Sequence, residues 1–301
     1  MKKNNSSLGL FIILSCAILW GSGGVIAQVV FQSGAISLNQ LSFLRMIGSA
    51  CILFVLAIWK DGKNLFSIFK NPYDLFSIFL FGTAGLMAMQ YSYFAAVKAS
   101  NAATGTVLQY TYPILMLLFT AISTRKIPSK VQIFAILAAF VGVLLIATHG
   151  DLGNLQTSQG ALFWGLFSAC TYVFYTVYPV RLFKKYHLFT IFSWAFLFSA
   201  LVLGLLTNTL TQPVHLSGTA WLSTLVIIIF STLIPFIIYG KGVQILGPVK
   251  ASLFVTIEPI ASALLAYFVT HIQFTAMDLL GFFLILAAIE FVAFTEKKAS
   301  A

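Results

Sequence analysis

Residues 188–240, LFTIFSWAFLFSALVLGLLTNTLTQPVHLSGTAWLSTLVIIIFSTLIPFIIYG, contain no Asp, Glu, Lys or Arg. A helix that crosses a bilayer needs about 20 predominantly apolar residues. The segment therefore reads as two such helices, divided at residues 208–219 by turn-forming residues that include Pro213, His215 and Gly218. Working outward from it, the same alternation of apolar run and short polar break fills the chain. The expected spans are 8–30, 38–59, 74–97, 101–122, 131–148, 160–180, 188–207, 219–240, 249–270 and 277–294. Composition agrees: 60% of the 301 residues are apolar and only 8% are charged, with a mean hydropathy of +0.98. A soluble domain carries about 25% charged residues. The fold class is all-α integral membrane, and no gap between spans is long enough for a folded soluble domain.

The net charge of +10 is spread over short loops rather than gathered on one arm or helix, which argues against a nucleic-acid partner. It reports orientation instead. With the N-terminus inside, all of the 17 Lys and Arg except Lys98 and Arg45 fall in cytoplasmic segments, from Lys2 and Lys3 to Lys297 and Lys298. Both termini are therefore expected in the cytoplasm of a plasma-membrane protein. The apolar run after Lys3 continues to about Val30 without a convincing cleavage site, so it reads as a retained helix. Cys16, Cys51 and Cys170 lack metal or disulfide spacing and read as packing residues, and His149, His187, His215 and His271 all fall at span ends. No metal site follows from either set.

Sliding the chain by 146 residues lays Tyr93 on Tyr239, Val97 on Val243, Pro113 on Pro259, Ile114 on Ile260 and Leu118 on Leu264 without a gap. Five spans per half is an odd number, so the second half must enter the membrane from the opposite side. The expected architecture is thus ten transmembrane helices in two inverted five-helix repeats, 1–150 and 151–301.

Glu258 falls about nine residues into its span, roughly 13 Å deep at 1.5 Å per residue. An acidic group there costs a few kcal/mol, on the order of 3, unless it is neutral, paired or facing water, which marks it as a functional candidate. The plain alternative is a neutral glutamic acid bonded to a neighbouring helix. Pro259 and its counterpart Pro113, which follows Tyr110, Thr111 and Tyr112, each remove a backbone donor and break or kink a helix. Two breaks at matching depth point to a central site. Trp20, Gly21, Ser22, Gly23 and Gly24 lie midway along the first span, where glycines allow close packing or local unwinding. Gln90, Tyr91, Tyr93, Tyr172, Tyr175 and Trp194 supply hydrogen-bonding groups for a pocket or an interfacial belt. Arg45, about seven residues inside the outer face, can snorkel outward or meet substrate, and Lys250 and Glu290 should snorkel to the inner face. The substrate-binding candidates are Trp20, Gly21, Arg45, Gln90, Tyr93, Tyr112, Tyr172, Tyr175 and Glu258, with Pro113 and Pro259 as helix breaks. No phosphate-binding loop, zinc-hydrolase pair or catalytic cluster is visible, so an enzyme is not expected and movement would be driven by gradients.

Trp20-Gly21, Phe43-Leu44-Arg45, Tyr112-Pro113, Gly247-Pro248 and Glu258-Pro259, in this order and spacing, resemble the EamA-like drug/metabolite transporter family over residues 9–294. The resemblance implies a ten-helix bundle around a central cavity, no bound cofactor, and efflux of amino acids, other metabolites or drugs. Its partners would be a small-molecule substrate, the lipid bilayer and, for coupling, protons. An uncoupled channel or lipid scramblase is the alternative. The chain departs from the pattern in the sixth span, where family members often carry Trp and this one has Thr171. The residues leave substrate, direction and oligomeric state open.

Overall fold

The computed structural model describes residues 2–125, 127–151, 157–211, 216–246 and 254–299, and those residues are helical apart from short turns. The first half comprises α1 (Lys2–Gln32), α2 (Leu38–Asp61), a 3-10 segment (Gly62–Lys70), α3 (Pro72–Leu80), a π segment (Phe81–Met87), α4 (Ala88–Ala99), α5 (Ala102–Gln109), α6 (Tyr112–Thr124) and α7 (Lys130–Thr148). The second comprises α8 (Gln159–Val177), α9 (Val180–Lys185), α10 (Leu188–Leu206), α11 (Gly218–Ile228), a π segment (Ile229–Leu233), α12 (Ile234–Leu246), α13 (Ile257–Thr270) and α14 (Ala276–Ala299).

Among the described residues, eight helical stretches are long and apolar enough to cross a membrane: Ser7–Gln32, Leu38–Lys70, Pro72–Ala99, Ala102–Thr124, Lys130–Thr148, Gln159–Lys185, Leu188–Leu206 and Gly218–Tyr239. The regions expected as ninth and tenth spans hold the shorter apolar α13 and the 24-residue α14. Large apolar side chains such as Phe11, Val55, Phe134, Leu222, Phe268 and Phe283 face outward around the bundle. In water such a surface would be an aggregation hazard; in hydrocarbon it is the solvent-matched face.

Short polar residues start the helices. Ser37 and Ser129 form capping boxes with Gln40 and Gln132, and Asn71, Asn101, Ser158 and Ser217 accept from backbone N–H groups of the helices they precede. Several helices end on residues with positive φ: Arg125 (52°), His149 (48°) and His271 (55°).

The 146-residue register reappears in these boundaries. The cap of α3 at Asn71 maps onto that of α11 at Ser217, and the π segment ending at Met87 onto the one ending at Leu233. Left-handed Arg125 maps onto left-handed His271, and the first residue of α7 onto the first of α14. Packing follows the same rule. Counterparts lie against each other, α2 on α10 and α7 on α14, whereas α4 packs on α8 as its counterpart α12 packs on α1. Exchanging the halves leaves these pairings unchanged, as a two-fold relation requires. Where α7 crosses α14, a Cβ on Gly142 would come within 2.8 Å of the Gly281 carbonyl oxygen, so only glycine permits this approach.

Charged groups gather at helix ends. Asp74, fully buried in the first turn of α3, accepts from Arg181 (2.6 Å), Lys185 and the Tyr186 hydroxyl (2.8 Å) of the second half. Burial and the Asp74 carboxylate together push the Tyr186 hydroxyl above its usual range, so it remains a donor. Asp61 pairs with Thr190 and His187, and His149 bonds Asp278 between α7 and α14.

Of the two readings of the first-span glycines, the structure has close packing, since α1 runs unbroken through them. The span expected at 101–122 is one membrane-length stretch, Ala102–Thr124, interrupted at residues 110–111 between α5 and α6. Glu290, expected to snorkel, accepts a 2.5 Å bond from Thr256, just before α13. The Gly247-Pro248 turn, Lys250, Pro213 and His215 lie outside the described residues.

Candidate functional site

A cavity of about 470 Å³ lies where the two halves meet, lined mainly by apolar and aromatic surface. This combination of a large apolar wall with a few polar groups is the usual form of a small-molecule site. Trp20 enters from α1, Arg45 from α2, Gln90, Tyr93 and Phe94 from α4, Tyr112 from α6, Tyr172 and Tyr175 from α8, Phe236 and Tyr239 from α12, and Glu258 from α13. All the substrate-binding candidates therefore line one space, except Gly21.

The helix breaks put the two central residues there. Tyr110 and Thr111 leave the α-helical path at the end of α5, and Pro113 then occupies the first turn of α6, where a missing N–H costs nothing. In the second half Thr256 precedes α13, and Pro259 stands in its first turn. Neither proline lines the cavity; each follows the residue that does, Tyr112 or Glu258. The breaks also hold each other. The Tyr110 hydroxyl lies 2.9 Å from Glu258 Oε2 and 3.1 Å from the Val255 carbonyl oxygen.

Rings form a continuous wall. Tyr112 meets Tyr172 edge-on with centroids 4.0 Å apart, Tyr172 stacks on Tyr175, and Trp20 packs against Phe236 and Tyr239. Thr171 takes no part in this wall, since its hydroxyl bonds the carbonyls of Phe167 and Ser168 in its own helix. On this helix the aromatic surface is supplied by Tyr172 and Tyr175.

Arg45 does not snorkel outward. Only 9% exposed, it donates from Nε to Thr232 Oγ1 at 2.8 Å and lies over the Phe94 ring, with no carboxylate within 4.0 Å among the described residues. Thr232 sits in the second π segment and also bonds the Ile227 carbonyl.

Glycines on α1 make the room. A Cβ at Gly24 would fall 2.1 Å from the Tyr93 hydroxyl oxygen, and one at Gly23 would fall 2.5 Å from Ser231 Cβ. Gly21 instead meets the α13 backbone, with its virtual Cβ 3.0 Å from the Glu258 carbonyl oxygen. It seats the Glu258 turn rather than touching the cavity.

Trp194 and Tyr91 lie elsewhere: Trp194 donates to the Leu65 carbonyl among Phe54 and Phe69, and Tyr91 donates to Asn39. Sequence reasoning missed Gln109, Phe183, Phe192, Ser231 and Phe236, and named Tyr110 and Tyr239 without assigning them to the pocket. The register offered a signal for Tyr239, because its counterpart Tyr93 was already a candidate.

The EamA-like transporter family model matches the chain twice, over residues 7–148 and 159–294. The protein belongs to the EamA-like transporter family. Among its relatives, the uncharacterized inner membrane transporter YicL of Salmonella typhimurium is 34% identical over 292 residues, covering 96% of each chain. The uncharacterized transporter YyaM of Bacillus subtilis is 22% identical over 267 residues, 86% of each chain. A solved crystal structure with 17% identity superposes with a TM-score of 0.63 over 96% of this chain and 98% of its own, which establishes a shared fold. The protein is thus a multi-pass member of a membrane transporter family, and its two family matches fall on either side of the α7–α8 connection.

Proposed function

We propose that this EamA-like protein is a secondary transporter that exports amino acids or similar small metabolites or drugs by alternating access through the cavity. In this reading α13 and α14 complete ten spans, the halves 1–150 and 151–301 are oppositely oriented, and both termini lie in the cytoplasm at the plasma membrane. It needs no cofactor and performs no catalysis; gradients supply the work. The observation that carries it is the bond between Tyr110 and Glu258, which joins the two helix breaks inside a cavity shared by both halves.

That bond supports protons as the coupling ion. Tyr110 has one hydroxyl hydrogen and two acceptors within reach. With Glu258 ionised, the hydrogen goes to the carboxylate and the Val255 carbonyl loses it. With Glu258 neutral, its own O–H donates to the Tyr110 oxygen, and Tyr110 donates onward to Val255. Proton uptake therefore rewires the contact between halves without adding a group. The other titratable or charged side chains around the cavity are Arg45, Tyr93, Tyr112, Tyr172, Tyr175 and Tyr239.

Reconstitution in liposomes with an imposed pH gradient tests this. Saturable counterflow of a metabolite is expected, with Glu258→Gln removing its pH dependence. Unchanged rate and pH dependence in that variant would defeat the role of Glu258, and flux that neither saturates nor exchanges would favour the channel or scramblase alternative.

A further inference from the structure

One corner of the cavity holds more hydrogen-bonding capacity than the protein uses. Arg45 carries five N–H donors, of which Nε is committed to Thr232. Its charge is nearly buried and has no acidic partner within 4.0 Å among the described residues. An arginine at membrane depth is costly unless it faces water or a partner. Gln90, 5% exposed, has neither its amide nitrogen nor its amide oxygen bonded, and Ser231, 3% exposed, has a free hydroxyl. An unbonded buried polar group is destabilising, so two of them in the cavity that also holds a buried cation point to hydrogen-bonding capacity kept for a ligand.

The three groups share a neighbourhood. Ser231 precedes the threonine that anchors Arg45, and Gln90 lies one helical turn before Phe94, the ring beneath the guanidinium, on the same face of α4. All three line the cavity, and Gly23 leaves the space that Ser231 occupies.

We propose that Arg45, Gln90 and Ser231 form a subsite for the carboxylate of an organic acid whose apolar body lies against the ring wall of Trp20, Tyr112 and Tyr172. The guanidinium edge suits a planar two-oxygen anion. A single fixed positive charge with two neutral donors matches a monoanion better than a doubly charged phosphate. Glu258 does not compete, being held by Tyr110. This assignment rests on the transporter reading only in that it describes the cargo; binding at equilibrium is tested separately from movement.

The test uses the full chain in lipid nanodiscs and two probes of equal shape, 3-phenylpropionate and 3-phenylpropionamide, titrated calorimetrically. The acid should bind saturably and at least tenfold tighter than the amide. Arg45→Gln should erase that preference, and Ser231→Ala should reduce it at least threefold. Where Arg45→Gln does not fold, Ser231→Ala and Gln90→Leu carry the test. Equal affinities in the unaltered protein, no saturable acid binding, or a preference that survives these substitutions would overturn the subsite. In liposomes the two readings separate: acid preference in binding without counterflow supports the subsite and defeats the transporter, whereas counterflow of acid and amide alike does the reverse.

Discussion

At residues 110–111 the first half breaks and turns Tyr112 into the cavity; at Thr256, 146 residues on, the second half breaks and turns Glu258 into it. The backbones agree, even to a proline one residue later, and the side chains do not. The contrast recurs along the chain: Arg45 corresponds to Ile191, Gln90 to Phe236 and Ser231 to Gly85. The first half contributes the cation and the amide, and the second contributes the carboxyl. The packing of like on like constrains the skeleton in both halves, whereas among the polar residues lining the cavity only Tyr93 and Tyr239 match across the register. The register thus fixes where a residue stands and leaves open what it is.

The largest expected effect comes from unbalancing the pair at the breaks. Glu258→Gln should lower coupled transport at least tenfold, whereas Tyr112→Phe, its counterpart, should change it less than threefold; equal losses would erase the functional asymmetry. Next, Tyr110→Phe removes the hydroxyl that joins the breaks and leaves a carboxyl and a carbonyl without that donor, so thermal denaturation in detergent should show a loss of about 1–3 kcal/mol. Gly24→Ala places a methyl against the Tyr93 hydroxyl and should cost a similar ~1–3 kcal/mol by overpacking, while Cys170→Ala at the exposed counterpart position should be close to neutral. The smallest effect should follow Asp74→Asn. Arg181 and Lys185 are 59% and 46% exposed and keep their hydration, so a shift of a few degrees in the melting temperature is expected, against none for Ala220→Ser at the counterpart site.

Hydropathy and register made much of this legible. The breaks at Pro113 and Pro259 and the cavity positions of Arg45, Gln90 and Glu258 were readable because a charged, amide or proline residue deep in an apolar run has few innocent explanations. What hydropathy conveys is depth along the membrane normal; it is silent on which way a helix face points. That is why Trp194 and Tyr91 looked as suitable as Tyr175 yet meet Leu65 and Asn39 instead. The glycines of α1 were ambiguous for a related reason, since their roles depend on what the neighbouring helices bring to them. The π segments left no mark that composition could disclose, because their residues are ordinary helix-compatible ones.

Those π segments have a consequence for how the chain tolerates change. A π turn holds one residue more than an α turn, and each residue in a regular helix advances the azimuth by about 100°. Deleting one residue within Ile229–Leu233 would turn the wide turn into an ordinary α turn, and because the wide turn completes its circle with that extra residue, Phe236 and Tyr239 would keep their azimuth. The same deletion within Phe81–Met87 would leave Gln90 and Tyr93 facing the cavity. The π segments therefore act as slack in the residue count, one in each half: a single-codon deletion there is absorbed, whereas one in the regular helix beside them would swing the cavity residues aside by about 100°.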